Sequence, residues 1–141
     1  GRRINDQMGE WIVDQVVLEL AKRGNKISNA NVLVLGFTFK ENCTDIRNTR
    51  IPGMVHLMNK YRMKTKIFDP WINAEKVKKE FKLDIVSSLS KSNKFDLIIV
   101  AIAHNQYLLW ERDKWESLLN DNGVIFDLKG IVPRDLNPIR P

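Results

Sequence analysis

The sequence predicts an α/β fold, with a parallel five-stranded sheet between two helical layers and a long N-terminal helix ahead of it. Three observations predict it. Val32-Leu-Val-Leu35 and Phe95-Asp-Leu-Ile-Ile-Val-Ala101 are apolar runs too continuous for strands with one wet face, and strands buried on both faces belong to parallel sheets. Segments of helical periodicity alternate with strand runs along the chain, as repeated right-handed β-α-β crossovers require. Gly36 closes the first run and opens a polar segment carrying Lys40, Arg47 and Arg50 before Pro52, which puts a cationic loop at the carboxyl end of a central strand. With the first strand central, the strand order is 3-2-1-4-5, a Rossmann-like three-layer sandwich.

The elements follow in order. Residues 3–23 form a helix: Ile4, Met8, Trp11, Ile12, Val16 and Leu20 recur at three- and four-residue spacing, Val13 and Val17 widen the apolar face, and Gly24-Asn25 stops it. The width of that face is compatible with contacts beyond its own sheet, and equally with a helix packed only on it. After the first strand and its loop, Pro52 to Tyr61 is helical, with Met54, Val55, Leu57 and Met58 apolar. His56 on this helix has no His, Cys or acid at metal spacing and is a partly exposed helix residue. Lys64 to Asp69 is the second strand, ending at Asp69-Pro70. Asp69 has the place of a ribose-binding acid but lacks the accompanying glycines, so it is taken as a turn-former before proline. Residues 73–81 form a lysine-rich helix, Leu83 to Val86 a short third strand, and Ser87 to Asn93 one helical turn. The fourth strand ends at Ala103-His104-Asn105, where His104 faces the ligand edge and is expected to be structural, no acidic partner being identifiable. Trp110 to Asn120 is a helix, Asn122-Gly123 turns the chain, Val124 to Asp127 is the fifth strand, and the proline-rich tail from Pro133 to Pro141 is extended or frayed.

Length and composition bound the function. One domain is expected for 141 residues, and 43% hydrophobic with 28% charged residues is the composition of a folded chain. A single cysteine precludes an intrachain disulfide and suits the cytoplasm. The charged start, and a longest apolar run of Leu97 to Ala103, argue against a signal peptide or a membrane span, which needs about 18 apolar residues. The chain opens on Gly1 with helical periodicity at once, which has the look of a piece of a longer chain. The net charge of +6 and pI near 9.6 raise nucleic-acid binding. The lysine clusters at 60–66 and 76–79, however, lack interleaved aromatics and are taken as solvated faces, so no nucleic-acid partner is expected.

The chemistry centres on the first loop. Gly36 is followed by Phe37-Thr38-Phe39, not by the glycines of a dinucleotide turn, and no Gly-Lys-Ser/Thr of a P-loop follows. Side chains, not a closely approaching backbone, would have to hold an anion here, and these residues alone leave an anion site and a solvated loop both open. Lys40 after the first strand and Lys129 after the last can converge on one crevice, because only one strand separates those two in the predicted order. Cys43, in Glu41-Asn42-Cys43-Thr44, has no base beside it and is not taken as a nucleophile; the Asn42-Cys43-Thr44 sequon has no meaning without secretion. No catalytic residue and no metal site are predicted.

Gly36-Phe-Thr-Phe-Lys-Glu-Asn-Cys-Thr-Asp-Ile-Arg-Asn-Thr-Arg50 matches G-x-x-F-K-x-x-x-x-D-x-R without a gap and resembles the C-terminal domain of the UDP-glucose/GDP-mannose dehydrogenase family. The Ile-Arg-Asn-Thr ending resembles the branch acting on UDP-N-acetylhexosamines, and the resemblance runs from Gly1 to about Lys129. It implies a UDP-binding domain of an NAD-dependent nucleotide-sugar 6-dehydrogenase in bacterial polysaccharide biosynthesis. Such an enzyme oxidises a C6 alcohol to a carboxylate in two hydride transfers. The resemblance also implies that Phe39 and Lys40 hold the nucleotide-sugar and that Arg47 reaches the NAD pyrophosphate. It places the basic residue after the last strand at Lys129, where many members have arginine. The family's cofactor-binding N-terminal domain and its Gly-Gly-x-Cys motif are not in these residues. Residues 1–25 would be the connecting helix through which a homodimer forms, and 26–141 the binding domain, partnered by the N-terminal domain of the same chain. Two other readings are a free-standing basic α/β module that binds a nucleotide or RNA, and a structural dimerisation domain.

Overall fold

The computed structural model describes residues 2–90 and 93–141, with side chains from Gln7 onward. The Ile4 side chain of the expected apolar face, and Lys91-Ser92 of the expected turn before the fourth strand, lie outside what it describes. Helix α1 (Arg2–Lys22) leads into β1 (Asn31–Leu35), α2 (Ile51–Lys60), β2 (Lys64–Phe68), α3 (Ala74–Phe81) and β3 (Phe95–Val100). Then come α4 (Asn105–Leu108), α5 (Arg112–Ser117), β4 (Leu119–Asp127) and a 3-10 turn at Arg134–Leu136. The strands pair in parallel in the order β2-β1-β3-β4.

Strand alternation sorts the apolar runs into two cores. Val32, Val34, Leu97, Ile99 and Phe126 face α1 and α2, meeting Ile12, Val16, Leu20, Met54 and Met58. Leu33, Leu35, Ile98, Val100 and Ile125 face the other way, onto Tyr107, Trp115 and Leu118. Both sheet faces are therefore covered, which is why β1 and β3 are aliphatic at successive positions. Each such side chain, fully buried, contributes about 1.5–3 kcal/mol.

The sheet has four strands where five were expected. Leu83 to Val86 contributes one parallel bridge, Ile85 beside Ile67. Ile67 N donates to Asp84 O at 3.0 Å and Val86 N to Ile67 O at 2.8 Å. The segment leaves α3 through Lys82 in the left-handed region (φ 56°) and turns away after Val86, so it has no length to propagate a ladder. The bridge still occupies the edge beside β2 where the third strand was placed. Residues 87–90 are not helical. The helix expected to run to Asn120 ends earlier, because Leu119 pairs with Phe95 and Asn120 Nδ2 donates to Asp96 Oδ1 at 3.0 Å, drawing both into β4. The tail is extended but not frayed. Ile139 bridges Phe126, with Asp127 N donating to Ile139 O at 2.7 Å, and Arg140 Nε meets Asp127 Oδ2 at 3.2 Å.

Gly36 sets the exit from β1. Its φ is +105°, and a Cβ there would lie 2.5 Å from Cβ of Ile102, so only glycine lets the chain turn this close to the end of β3.

Candidate functional site

The loops after β1, β2, β3 and β4 meet at the carboxyl edge of the sheet, and a buried polar network fixes the first three. Asp69, just past β2, accepts from Phe37 N at 2.6 Å and Thr38 N at 3.2 Å through Oδ2, and from Trp71 N at 2.7 Å through Oδ1. His104, past β3 and fully buried, brings Nε2 to 2.9 Å from the same Oδ2, with Thr38 Oγ1 3.3 Å away. Its Nδ1 accepts from Asn42 N at 3.0 Å, which sets the ring as the Nε2–H tautomer donating to Asp69. Asn42 in turn accepts from Asn105 N through Oδ1 at 2.9 Å, and Thr49 Oγ1 donates to Phe37 O. Tyr107 Oη donates to Phe68 O at 2.9 Å; burial, with the charge of Asp69 behind it, pushes the phenol up and keeps it protonated.

This network was not predicted. Asp69 is more than a turn-former, and His104 does have an acidic partner. The predicted strand order placed the ends of the second and fourth strands on either side of the first, so topology already held the signal that these two residues could meet across its loop.

The network presents the cationic side chains. Phe39 is 51% exposed; its amide donates to Asp45 O at 2.9 Å, while Thr38 Oγ1 donates to Lys40 O at 2.8 Å and shapes the turn. Lys40 is exposed. Arg47 is exposed and forked onto Asp45, Nε to Oδ1 at 3.1 Å and Nη2 to Oδ2 at 3.2 Å. The Arg47 side chain, and next its amide, hold the Asp45 carboxyl below the usual carboxylate range. Stability from this pair is therefore present above that range and is lost only as pH falls through the lowered pKa. Cys43 Sγ accepts the Asp45 amide at 3.4 Å, a loop-closing contact.

At the far side of the edge, Asp127 is buried and accepts from Lys129 N, Gly130 N and Val132 N at 3.2, 2.8 and 2.9 Å, turning the chain so that Lys129 emerges beside the β1 loop. A cleft of about 110 Å³ lies between them, lined by Thr38, Phe39, Asn48, Arg50, Ile51, Ile102 and Lys129. Of the predicted site residues, Phe39 and Lys129 line this cleft together, and Lys40 and Arg47 lie outside its lining. Arg50, one of the three loop cations noted in the sequence but given no role there, lines it too; desolvation by burial lowers its pKa.

Among the described residues no group of three or more His, Cys, Asp or Glu could hold a metal ion, and no helix is long and apolar enough to cross a membrane. His56 is exposed, and the lysines of both clusters lie mostly at the surface.

The model of the UDP-glucose/GDP-mannose dehydrogenase family, UDP binding domain, matches residues 33–134, from β1 through the turn after Lys129. Over 140 residues the chain is 42% identical to a UDP-N-acetyl-D-glucosamine 6-dehydrogenase of Salmonella typhi, covering 99% of this chain and 33% of that protein. A UDP-N-acetyl-D-glucosamine 6-dehydrogenase of Pseudomonas aeruginosa is 36% identical over 140 residues, with the same shares of 99% and 33%. The chain thus spans about a third of the length of these curated relatives. Among solved structures, an NDP-N-acetyl-D-galactosaminuronic acid dehydrogenase from Methanosarcina mazei Go1 superposes with a TM-score of 0.79 at 24% identity, covering 94% of this chain and 27% of that one, a likeness of fold. With its β1 motif, its sheet and its matched residues in agreement, the chain belongs to the UDP-glucose/GDP-mannose dehydrogenase family, as that family's UDP binding domain.

Proposed function

We propose that this chain binds the UDP-sugar substrate of an NAD-dependent UDP-N-acetylhexosamine 6-dehydrogenase, a cytoplasmic enzyme of bacterial polysaccharide biosynthesis. One observation carries the reading: Phe39 from the β1 loop and Lys129 from the β4 loop line a single cleft at the carboxyl edge of the sheet. In this role the exposed Phe39 ring packs on the nucleotide-sugar, and Lys129 neutralises a phosphate charge. Lys40 contributes a second charge from the same loop, outside the cleft lining. Within this chain the work is binding and orientation, and no residue of it is assigned to bond making.

NAD, when bound, accepts the hydride that leaves the sugar carbon. The chain's own residues fit a contribution to its pyrophosphate from the side but not a dinucleotide cradle. The amides of Phe37 and Thr38, which a glycine-rich turn would offer to phosphate, are already donated to Asp69. Arg47 is exposed and pre-oriented by Asp45, the arrangement of a cation that reaches toward a group beyond the domain. The N-terminal domain of the full enzyme supplies the rest of that site in this proposal. A homodimer through α1 fits the apolar side chains that the helix leaves at the surface, Met8, Trp11 and Leu18.

Calorimetric titration with UDP tests the reading. Lys129→Ala should weaken UDP binding roughly 10- to 100-fold, the loss of one charge-assisted contact of about 1.5–3 kcal/mol. Lys78→Ala, on the exposed face of α3, should leave it unchanged. Equal, modest losses in both variants that vanish in salt would replace the site with a general basic field, the basis of a free-standing basic module.

A further inference from the structure

The cleft holds a second cation, Arg50, which unlike the other arginines whose side chains are described is not exposed; Arg62 and Arg134, which likewise have no carboxylate within ion-pair distance among the described residues, lie in solvent. Arg23, Arg47, Arg112 and Arg140 each lie within ion-pair distance of a carboxylate, on Glu19, Asp45, Glu116 and Asp127 respectively. Arg50 is half-buried, and among the described residues no carboxylate lies within that distance of it. Its guanidinium stays charged, as arginine does at any pH a protein tolerates. Taking a charge out of water without a counter-charge is expensive, and buried charges are ordinarily paired. The cleft lined by Arg50 also contains Lys129 and the polar Asn48 and Thr38, over a floor of buried Ile51 and Ile102. Arg50 is also the N-cap of α2, where the helix's positive end adds to its charge.

We propose that a counter-charge for Arg50 arrives with the ligand, and that Arg50 binds the diphosphate of the UDP moiety opposite Lys129. The proposal rests on the reading of the cleft as a UDP-sugar site and adds a division of labour within it. Lysine presents a compact point charge on a flexible stem, whereas a guanidinium offers a planar fork of donors that matches two phosphate oxygens. Lys129 supplies charge at the β4 side, and Arg50, fixed at the start of α2, supplies direction at the β1 side. The exposed Phe39 ring, which lines the same cleft, offers the nucleoside an apolar face.

The test compares UDP, uridine and inorganic pyrophosphate by calorimetric titration into wild type, Arg50→Ala, Arg50→Lys, Lys129→Ala and the double variant Arg50→Ala/Lys129→Arg, with thermal melts of each. Arg50→Ala should lose roughly 10- to 100-fold in affinity for UDP and for pyrophosphate while leaving uridine unaffected. Arg50→Lys should recover little of that loss, because the fork is gone, whereas Lys129→Arg in the Arg50→Ala background should restore part of it. Unchanged UDP affinity in Arg50→Ala, with Lys129→Ala still impaired, would overturn the inference and leave the site reading standing. A lowered melting temperature with equal losses for all three probes would make Arg50 structural and overturn it too. Pyrophosphate binding that is lost in Arg50→Ala, with no gain in affinity from the nucleoside, would leave Arg50 as a diphosphate ligand but remove the UDP reading and with it the inference as stated. Absence of binding by any probe would remove both.

Discussion

Asp69 is a buried carboxylate that takes hydrogen bonds from the amides of Phe37, Thr38 and Trp71 and from His104, so the loop bearing Phe39 and Lys40 is shaped by an anion that itself touches no ligand in this account. Removing it leaves buried donors without acceptors, and each such orphan costs about 1–3 kcal/mol. Asp69→Ala should therefore lose about 3 kcal/mol or more in urea unfolding, whereas Lys40→Ala, at an exposed position, should stay within about 0.5 kcal/mol of wild type. Equal stabilities for the two variants would mean that the network does not hold the loop. The same contrast separates the site's two kinds of residue: those that build it resist substitution in the folded protein, and those that bind show their loss only when ligand is present.

Helix α1 has two apolar faces with different partners. Ile12, Val13, Val16 and Leu20 pack against α2 and the sheet, while Met8, Trp11 and Leu18, 44, 46 and 46% exposed, form a stripe on the outer face at three- and seven-residue spacing. If that stripe joins two copies, Trp11→Lys should shift sedimentation toward monomer and leave the unfolding midpoint unchanged only at dilutions where wild type is itself monomeric. Ile12→Ala should instead destabilise the fold by about 2–5 kcal/mol. A wild-type chain that sediments as a monomer at every concentration would remove α1 as the dimer contact. The sequence put Met8 and Trp11 in one wide stripe with the inner residues and left Leu18 out, since periodicity counts apolar positions without saying which of them meet a partner in the same chain.

For the whole molecule, legibility followed the reach of the physics involved. The continuous aliphatic runs identified β1 and β3, and the crossover rule arranged them, because burial on both faces leaves a one-dimensional signature. The single bridge at Ile85, the short α4 and the anchored tail were not legible, since they depend on which edge groups find partners: Val86 N on Ile67 O, Ile139 on Phe126, Arg140 on Asp127. The motif from Gly36 to Arg50 marked one loop as the candidate site. The strand order let Lys129 reach that loop, but nothing in the one-dimensional pattern said that Arg50 would line the same cleft, or that Asp69 and His104 would clamp the loop, because both depend on how the loop folds against its neighbours.

The central claim is that the carboxyl edge of this sheet, at the cleft of Phe39, Arg50 and Lys129, is where UDP binds. Chemical-shift mapping of the isotope-labelled chain during titration with UDP tests it most directly, because each amide reports its own location. The account predicts that the largest shifts cluster on residues 37–40, 48–53 and 128–131, and that they saturate with a single dissociation constant. Large shifts confined to the lysine-rich face of α3 or to the opposite edge around Asn25 and Asn122, with the cleft unmoved, would contradict it.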